Sequence, residues 1–409
     1  MENLIPYIKL IILALACLVT GVCTLSRKWY VNLPVFLICI AGETFMAYLF
    51  FPAYALWPAC GSVAIFAFST AWEHLKPSGR KENKSPIRLP VISGVPYRHL
   101  EFYYYYSNFL VYGGAGSGKT KSIGKWLLEE YIRLGFAGFI YDFKDVDYTQ
   151  TAYNLTKKYG YPHKFYYVSF DKPEHSYRFN PLKVVKDRTE LMQLMEDVLL
   201  ALLPKGEKQN EWVAGGLGIL RGVAFRFWDE FPEYCTLPHI MAFIMSASTK
   251  QLSIFLQQNL VAEMMAGAYL KAEGSEKTQA SYLSTLCNNL STISQNEEIA
   301  YILSGDDFDF NLIDPEDPKL FAISNNFSKN SVYAPVIGML MSISTRQFTM
   351  QNKVPFVYFL DEMTTVNIKN FETLPSVLRE YKVGFVLLTQ SGAKLEALYG
   401  KLDLSLIHI

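Results

Sequence analysis

The sequence predicts an α/β protein: a parallel-sheet domain entered through a phosphate-binding loop, preceded by N-terminal transmembrane helices and interrupted by an inserted all-α subdomain. Three observations carry that prediction. The glycine-rich stretch "VYGGAGSGKTKS", Val111 to Ser122, closes a short apolar run and opens a helical pattern. Apolar segments of strand length recur on both sides of a long helical block, and several of them end in polar residues. The region before residue 76 is strongly apolar and sparsely charged.

Residues 4–25, "LIPYIKLIILALACLVTGVCTL", carry one charge, Lys9, close enough to the end of the run for its ammonium to reach the interface. The run is long, Glu2 stands where a secretory signal peptide has basic residues, and no small-residue cleavage site precedes a polar mature start, so a membrane span is the better reading. A second apolar stretch from Leu33 to Trp72 would be about 60 Å long as one helix, too long for a single crossing. Two crossings that turn at "FPAYALWPAC" use that length; one kinked span with a re-entrant piece is the alternative. Arg27 and Lys28 in the first loop and Lys76, Arg80, Lys81, Lys84 and Arg88 after the last span share the cytoplasmic side if there are three crossings with the N-terminus outside.

The whole chain has 409 residues, with 38 basic and 38 acidic side chains, so no global basic field points to nucleic acid and any such contact needs a local groove. Cys17, Cys23, Cys39 and Cys60 lie in the apolar region, and Cys235 and Cys287 are isolated. This spacing suits neither disulfides nor a metal site and fits a reducing cytosol around the body of the protein.

Residues 76–98 are rich in Pro, Gly, Ser and basic residues and read as a linker. "NFLVYGG" is a buried strand running into the glycines, "KTKSIGKWLLEEYIRLG" a helix ending at Gly135, "FAGFIYDFKD" a second strand and "KFYYVSFD" a third. Strands joined this closely through helices make a parallel α/β unit, here residues 99–186. From 187 to 296 the apolar positions fall three and four apart in successive segments, an all-α insertion. Strand patterns return in 297–409 with "LFAISNN", "PFVYFLDEM" and "VGFVLLTQ", separated by helical patterns at "YAPVIGMLMSISTRQF" and near "FETLPSVLREYK".

Gly113, Gly114, Ala115, Gly116, Ser117, Gly118, Lys119, Thr120 and Lys121 form the loop that satisfies G-x-x-x-x-G-K-[ST] between a strand and a helix. The glycines let backbone N–H groups converge on a β-phosphate, Lys119 reaches the β- and γ-oxygens of ATP, and Thr120 offers a hydroxyl to Mg²⁺. "PFVYFLDEM" ends an apolar strand in two carboxylates, which have no reason to sit there unless they meet a cation. Asp361 is the second expected Mg²⁺ ligand, and Glu362 the base that orients and deprotonates the attacking water. Gln390, at the end of "VGFVLLTQ", is placed to sense the γ-phosphate; an ordinary polar strand end is an equal reading. Asp142, Lys144 and Asp145 in "YDFKD" sit where ligands collect in open α/β sheets, and charged strand ends are again as good an explanation. Tyr103–Tyr106 is better read as strand packing than as a base-stacking platform.

The separation between Lys119 and Asp361 exceeds what a small kinase or GTPase needs, and "ILSGDD" lacks the features of an ABC-transporter signature. The ordered set of N-terminal spans, "GGAGSGKTKS", "IYDFKD", "YRFNPL", the helical insertion, "YFLDEM" and "LLTQSGAKLEALYG" resembles the TraG/TraD-like type IV coupling proteins, membrane ATPases of conjugative DNA transfer, and more loosely the FtsK-type translocases. The resemblance implies a RecA-like P-loop NTPase domain and an all-α domain that contacts cargo. It also implies a homo-hexamer in the bacterial inner membrane, with its ATPase domain in the cytoplasm, that hands a relaxase-bound single DNA strand to a type IV secretion channel. An FtsK-like DNA translocase, or a docking receptor in which hydrolysis is incidental, are the competing functions. Members of the family continue past the Gln motif with further strands, whereas this sequence stops nine residues after Gly400 in "KLDLSLIHI"; the resemblance leads to the expectation of a truncated chain with non-native last residues.

Overall fold

The computed structural model describes residues 29–50, 85–90, 99–203 and 210–399, with positions 52, 56, 60, 62 and 63. The chain divides into two compact units, Met1–Lys84 and Ser85–Ile409.

In the first unit a helix runs from Trp29 to Phe50 and covers the start of the second apolar stretch. Leu37, Ile38, Phe45, Tyr48 and Leu49 are exposed on it, while Glu43 is buried and accepts a hydrogen bond from Ser62 Oγ at 2.8 Å. Among the described residues no helix is long and apolar enough to cross a membrane. The first expected span, residues 4–25, and all of 64–84 lie outside the described residues, as does the expected non-native end, 400–409.

The second unit is built on a six-stranded parallel sheet in the order β3-β8-β7-β4-β6-β5. Its strands are β3 (Phe109–Tyr112), β4 (Ala137–Asp142), β5 (Lys164–Ser169), β6 (Lys319–Ser324), β7 (Phe356–Leu360) and β8 (Val383–Thr389). A separate antiparallel pair joins β1 (Ile87–Pro90) to β2 (His99–Phe102). β4, β6, β7 and β8 are buried along their whole length, as expected when helices cover both faces of a parallel sheet.

Alternate residues feed two apolar layers, following the two-residue period of a strand. Ile140, Leu320, Ala322, Val357, Phe359, Val386 and Leu388 pack with the helices Lys125–Arg133 and Asp147–Tyr159 and with Ile87 and Tyr105. Phe139, Phe321, Tyr358 and Phe385 face the other way and form an aromatic ladder across β6, β4, β7 and β8, with centroids 5.0 to 5.9 Å apart. The helix Asn330–Thr345 and the inserted helices close this second face.

The insertion does not stand apart from the sheet. Helix Arg188–Leu202 packs on both Glu211–Glu230 and Asn330–Thr345, and the apolar core runs without a break from Phe356 and Phe321 through Phe179 and Leu194 into Leu220, Ile240 and Leu290. A further helix, Glu297–Leu303, packs on helices Leu237–Ser246 and Glu276–Ser294, so the helical block continues past residue 296. The stretch 76–98 is not wholly linker: β1 lies inside it, with Ile87 buried and the Arg88 N–H donating to Glu130 Oε2 at 2.8 Å. The helical pattern near "FETLPSVLREYK" is only the turn Leu374–Val377 followed by a 3₁₀ turn that stops at Lys382, whose φ is 64°.

Candidate functional site

β3 delivers the chain into the glycine-rich loop, and a π-turn over Thr120–Gly124 leads into the helix Lys125–Arg133. Gly116 and Gly118 have φ of 75° and 85°, the left-handed region that a side chain resists, so the loop's curl needs glycine at both points. The Gly113 N–H donates to Thr389 O at 3.3 Å, tying the start of the loop to the end of β8.

Because all six strands run the same way, the loop, the carboxylates after β7 and the amide after β8 share one edge of the sheet. Lys119 is largely buried; its ammonium donates to the Gly113 carbonyl and, at 3.4 Å, to that of Gly114, and lies 3.9 Å from Glu362 Oε1. The Gln390 amide donates to the same Glu362 oxygen at 2.6 Å. Lys119 and Gln390 therefore both meet one oxygen of Glu362.

Glu362 is held in the left-handed region, φ 47° and ψ 51°. For a residue with a Cβ this costs about 1 kcal/mol, so surrounding contacts must compensate for it. Its buried neighbour Asp361 has an orphan atom: Oδ2 is inaccessible and accepts no hydrogen bond. Burial pushes the Asp361 carboxyl up to about 7, with the charges of Asp142 and Glu362 adding to the rise and Lys144 and Lys119 opposing it. An unsatisfied buried carboxylate oxygen is the kind of atom a cation satisfies, so the donor chemistry fits Mg²⁺.

Asp142, at the end of β4, is also buried. Burial raises its carboxyl to about 6, while the Thr149 and Lys144 N–H groups, at 2.8 and 3.3 Å, favour the charged form. Asp142 thus fastens the start of helix Asp147–Tyr159 to the sheet. Asp145 points outward and pairs with Lys172 at 3.2 Å, and Lys121 and Lys144 are exposed. Within the Tyr103–Tyr106 run, Tyr105 and Tyr106 pack against Phe136 as expected, while Tyr103 and Tyr104 are exposed and the Tyr103 hydroxyl donates to Glu101. A cavity of about 170 Å³ between Lys183, Leu194, Ile343 and Arg346 lies where the insertion meets helix Asn330–Thr345, away from the phosphate loop. Sequence reasoning passed over Thr365, which bonds the Glu362 carbonyl, and Tyr141 and Asn325, which stand behind Thr365 in turn; the polar pair "NN" after β6 was a signal for Asn325 alone.

The family model for type IV secretory system conjugative DNA transfer matches residues 80–407. No curated protein matches the sequence. Among solved structures, the conjugative coupling protein TrwB lacking its first 70 residues, crystallised with sulphate, is 17% identical over 80% of this chain and 72% of its own, with a TM-score of 0.59. The same figures hold for TrwB in complex with ADP and Mg²⁺. TrwB bound to the ATP analogue ADPNP is 18% identical over 74% of this chain and 68% of its own, with a TM-score of 0.56. At these identities the likeness speaks for the fold, an α/β domain with a parallel sheet like that of TrwB. The family match spans most of the sequence, and the chain belongs to the type IV secretory system conjugative DNA transfer family.

Proposed function

We propose that this protein is the inner-membrane ATPase of a conjugative system, which couples a relaxase-bound DNA strand to a type IV secretion channel and drives it by ATP hydrolysis. The observation that supports it best is the contact of Lys119 and Gln390 with one oxygen of Glu362 at the sheet edge where the phosphate loop begins.

In this reading the loop Gly113 to Lys121 wraps the phosphates and the Lys119 ammonium exchanges its two loop carbonyls for the β- and γ-oxygens. Thr120 and Asp361 would hold Mg²⁺, which when bound would supply positive charge against the phosphates. Glu362 orients water and accepts its proton, with Gln390 fixing one carboxylate oxygen and leaving the other for the water, a role worth roughly 10²- to 10⁴-fold in rate. The proposed domain division is spans in 1–75, a connection in 76–98 that carries β1, the NTPase domain in 99–186 and 297–409 apart from the helix Glu297–Leu303, and cargo contact in the insertion 187–296 together with that helix. The coupling proteins' hexameric, cytoplasm-facing assembly is part of the same proposal.

The test is ATP turnover and plasmid transfer by the full-length protein carrying Lys119→Ala. We expect nucleotide affinity and DNA-stimulated hydrolysis to fall together and transfer to cease. Transfer at the wild-type frequency by a protein that no longer hydrolyses ATP would instead make it a docking receptor.

A further inference from the structure

We propose that Tyr141, Thr365 and Asn325 form a one-way hydrogen-bond relay that positions Glu362 for water activation. The proposal rests on the reading of Glu362 as the base.

The relay begins at the Glu362 carbonyl, which accepts from the Thr365 N–H at 2.9 Å and from Thr365 Oγ1 at 2.7 Å. Thr365 Oγ1 lies 2.7 Å from the Tyr141 hydroxyl, and Asn325 Nδ2 donates to that hydroxyl at 2.9 Å. The direction of each proton follows from the partners. A carbonyl can only accept, so the single Thr365 hydroxyl proton goes to Glu362 O. Tyr141 must then donate to Thr365 Oγ1, and its oxygen is left to accept from Asn325. The Asn325 amide cannot be turned over, because its Oδ1 accepts the Asn326 N–H at 2.8 Å and its Nδ2 also donates to Asn330 Oδ1 at 2.7 Å.

Tyr141 lies at the end of β4, Asn325 follows β6 and Thr365 closes the 3₁₀ turn after β7, and among the described residues no side-chain hydrogen bond or ion pair joins any of them to Lys119 or Gln390. What they share is Glu362, which sits in a left-handed conformation two residues past the end of β7. Two hydrogen bonds on its carbonyl, backed by Tyr141 and Asn325, hold the peptide so that the Glu362 side chain meets Gln390. A base displaced by about 1 Å loses on the order of a hundredfold in rate, so a relay that fixes the peptide bears on kcat and not on nucleotide affinity.

The experiment compares ATP turnover by the purified full-length protein with Thr365→Val, Thr365→Ser, Tyr141→Phe and Glu362→Gln, alone and with Thr365→Val placed in the Glu362→Gln background. We expect Thr365→Val and Tyr141→Phe to lower kcat between about tenfold and a hundredfold with the KM for ATP and the affinity for fluorescent ADP unchanged. Thr365→Ser, which keeps the hydroxyl, restores turnover, and Thr365→Val costs nothing further once Glu362 is Gln. Should Tyr141→Phe fail to fold, the half-buried Thr365 pair still decides the matter. The relay is refuted if Thr365→Val turns over ATP at the wild-type rate while Glu362→Gln does not, or if Thr365→Val costs as much in the Glu362→Gln background as alone. A Glu362→Gln protein with wild-type turnover refutes the underlying assignment of the base instead.

Discussion

Removing the Asp197 carboxylate should loosen the joint between the insertion and the nucleotide domain by a measurable amount. Asp197 is buried on helix Arg188–Leu202, and it pairs with Arg346 at the end of helix Asn330–Thr345 and with Lys369 at 2.8 Å in the segment that follows Glu362. Two charge-assisted hydrogen bonds are worth roughly 1.5–3 kcal/mol each when fully desolvated. The cations here are 37% and 39% exposed, so each recovers water when its partner is removed, and Arg346 keeps Gln193 as an acceptor at 2.7 Å. Discounting for that screening leaves about 2 kcal/mol for Asp197→Ala. In a unit of this size the loss lowers the midpoint of thermal unfolding by about 3 °C. Differential scanning fluorimetry of the full-length protein reads the shift, and Asp197→Ala combined with Lys369→Ala should cost less than the two single changes added together. A midpoint unchanged within about 1 °C, or strict additivity of the pair, would refute the role given to this carboxylate.

Gln390→Ala removes the donor that fixes Glu362 Oε1 and should slow ATP turnover about tenfold with little change in the KM for ATP, measured by steady-state phosphate release. Excising residues 187–296 behind a flexible linker should abolish nucleotide binding together with folding. The excision strips cover from Tyr333, Ile337 and Leu340 on the core face of helix Asn330–Thr345, and soluble, ADP-binding protein after the deletion would contradict the continuous core described above.

The parts of the site legible in the sequence are those announced by a local pattern. β3, β7 and β8 are apolar runs that end abruptly in glycines, Asp361-Glu362 and Gln390, and a parallel sheet places all such ends on one edge. Helix Asp147–Tyr159 escaped notice although its buried Tyr148, Ala152 and Leu155 stand at helical spacing, because threonines, lysines and Asn154 dominate the segment and make it read as a polar connection. β1 is four residues long and set in a Pro-rich, basic stretch that reads as linker. The inserted helices look separable in sequence because their apolar periodicity says that a face is buried and not against what. The relay around Glu362 was invisible for a different reason: Tyr141 and Thr365 are 224 residues apart, and no pattern along the chain signals a contact made by folding.

The central claim, that Glu362 activates water in an ATP-hydrolysing site built around Lys119, is tested most directly by single-turnover ATP cleavage in Glu362→Gln. The substitution keeps the side chain's length and removes its capacity to accept the water's proton. The account predicts an ATP complex that forms with wild-type affinity and persists, its cleavage slowed by about a hundredfold or more. Cleavage at the wild-type rate by the Gln variant would contradict it.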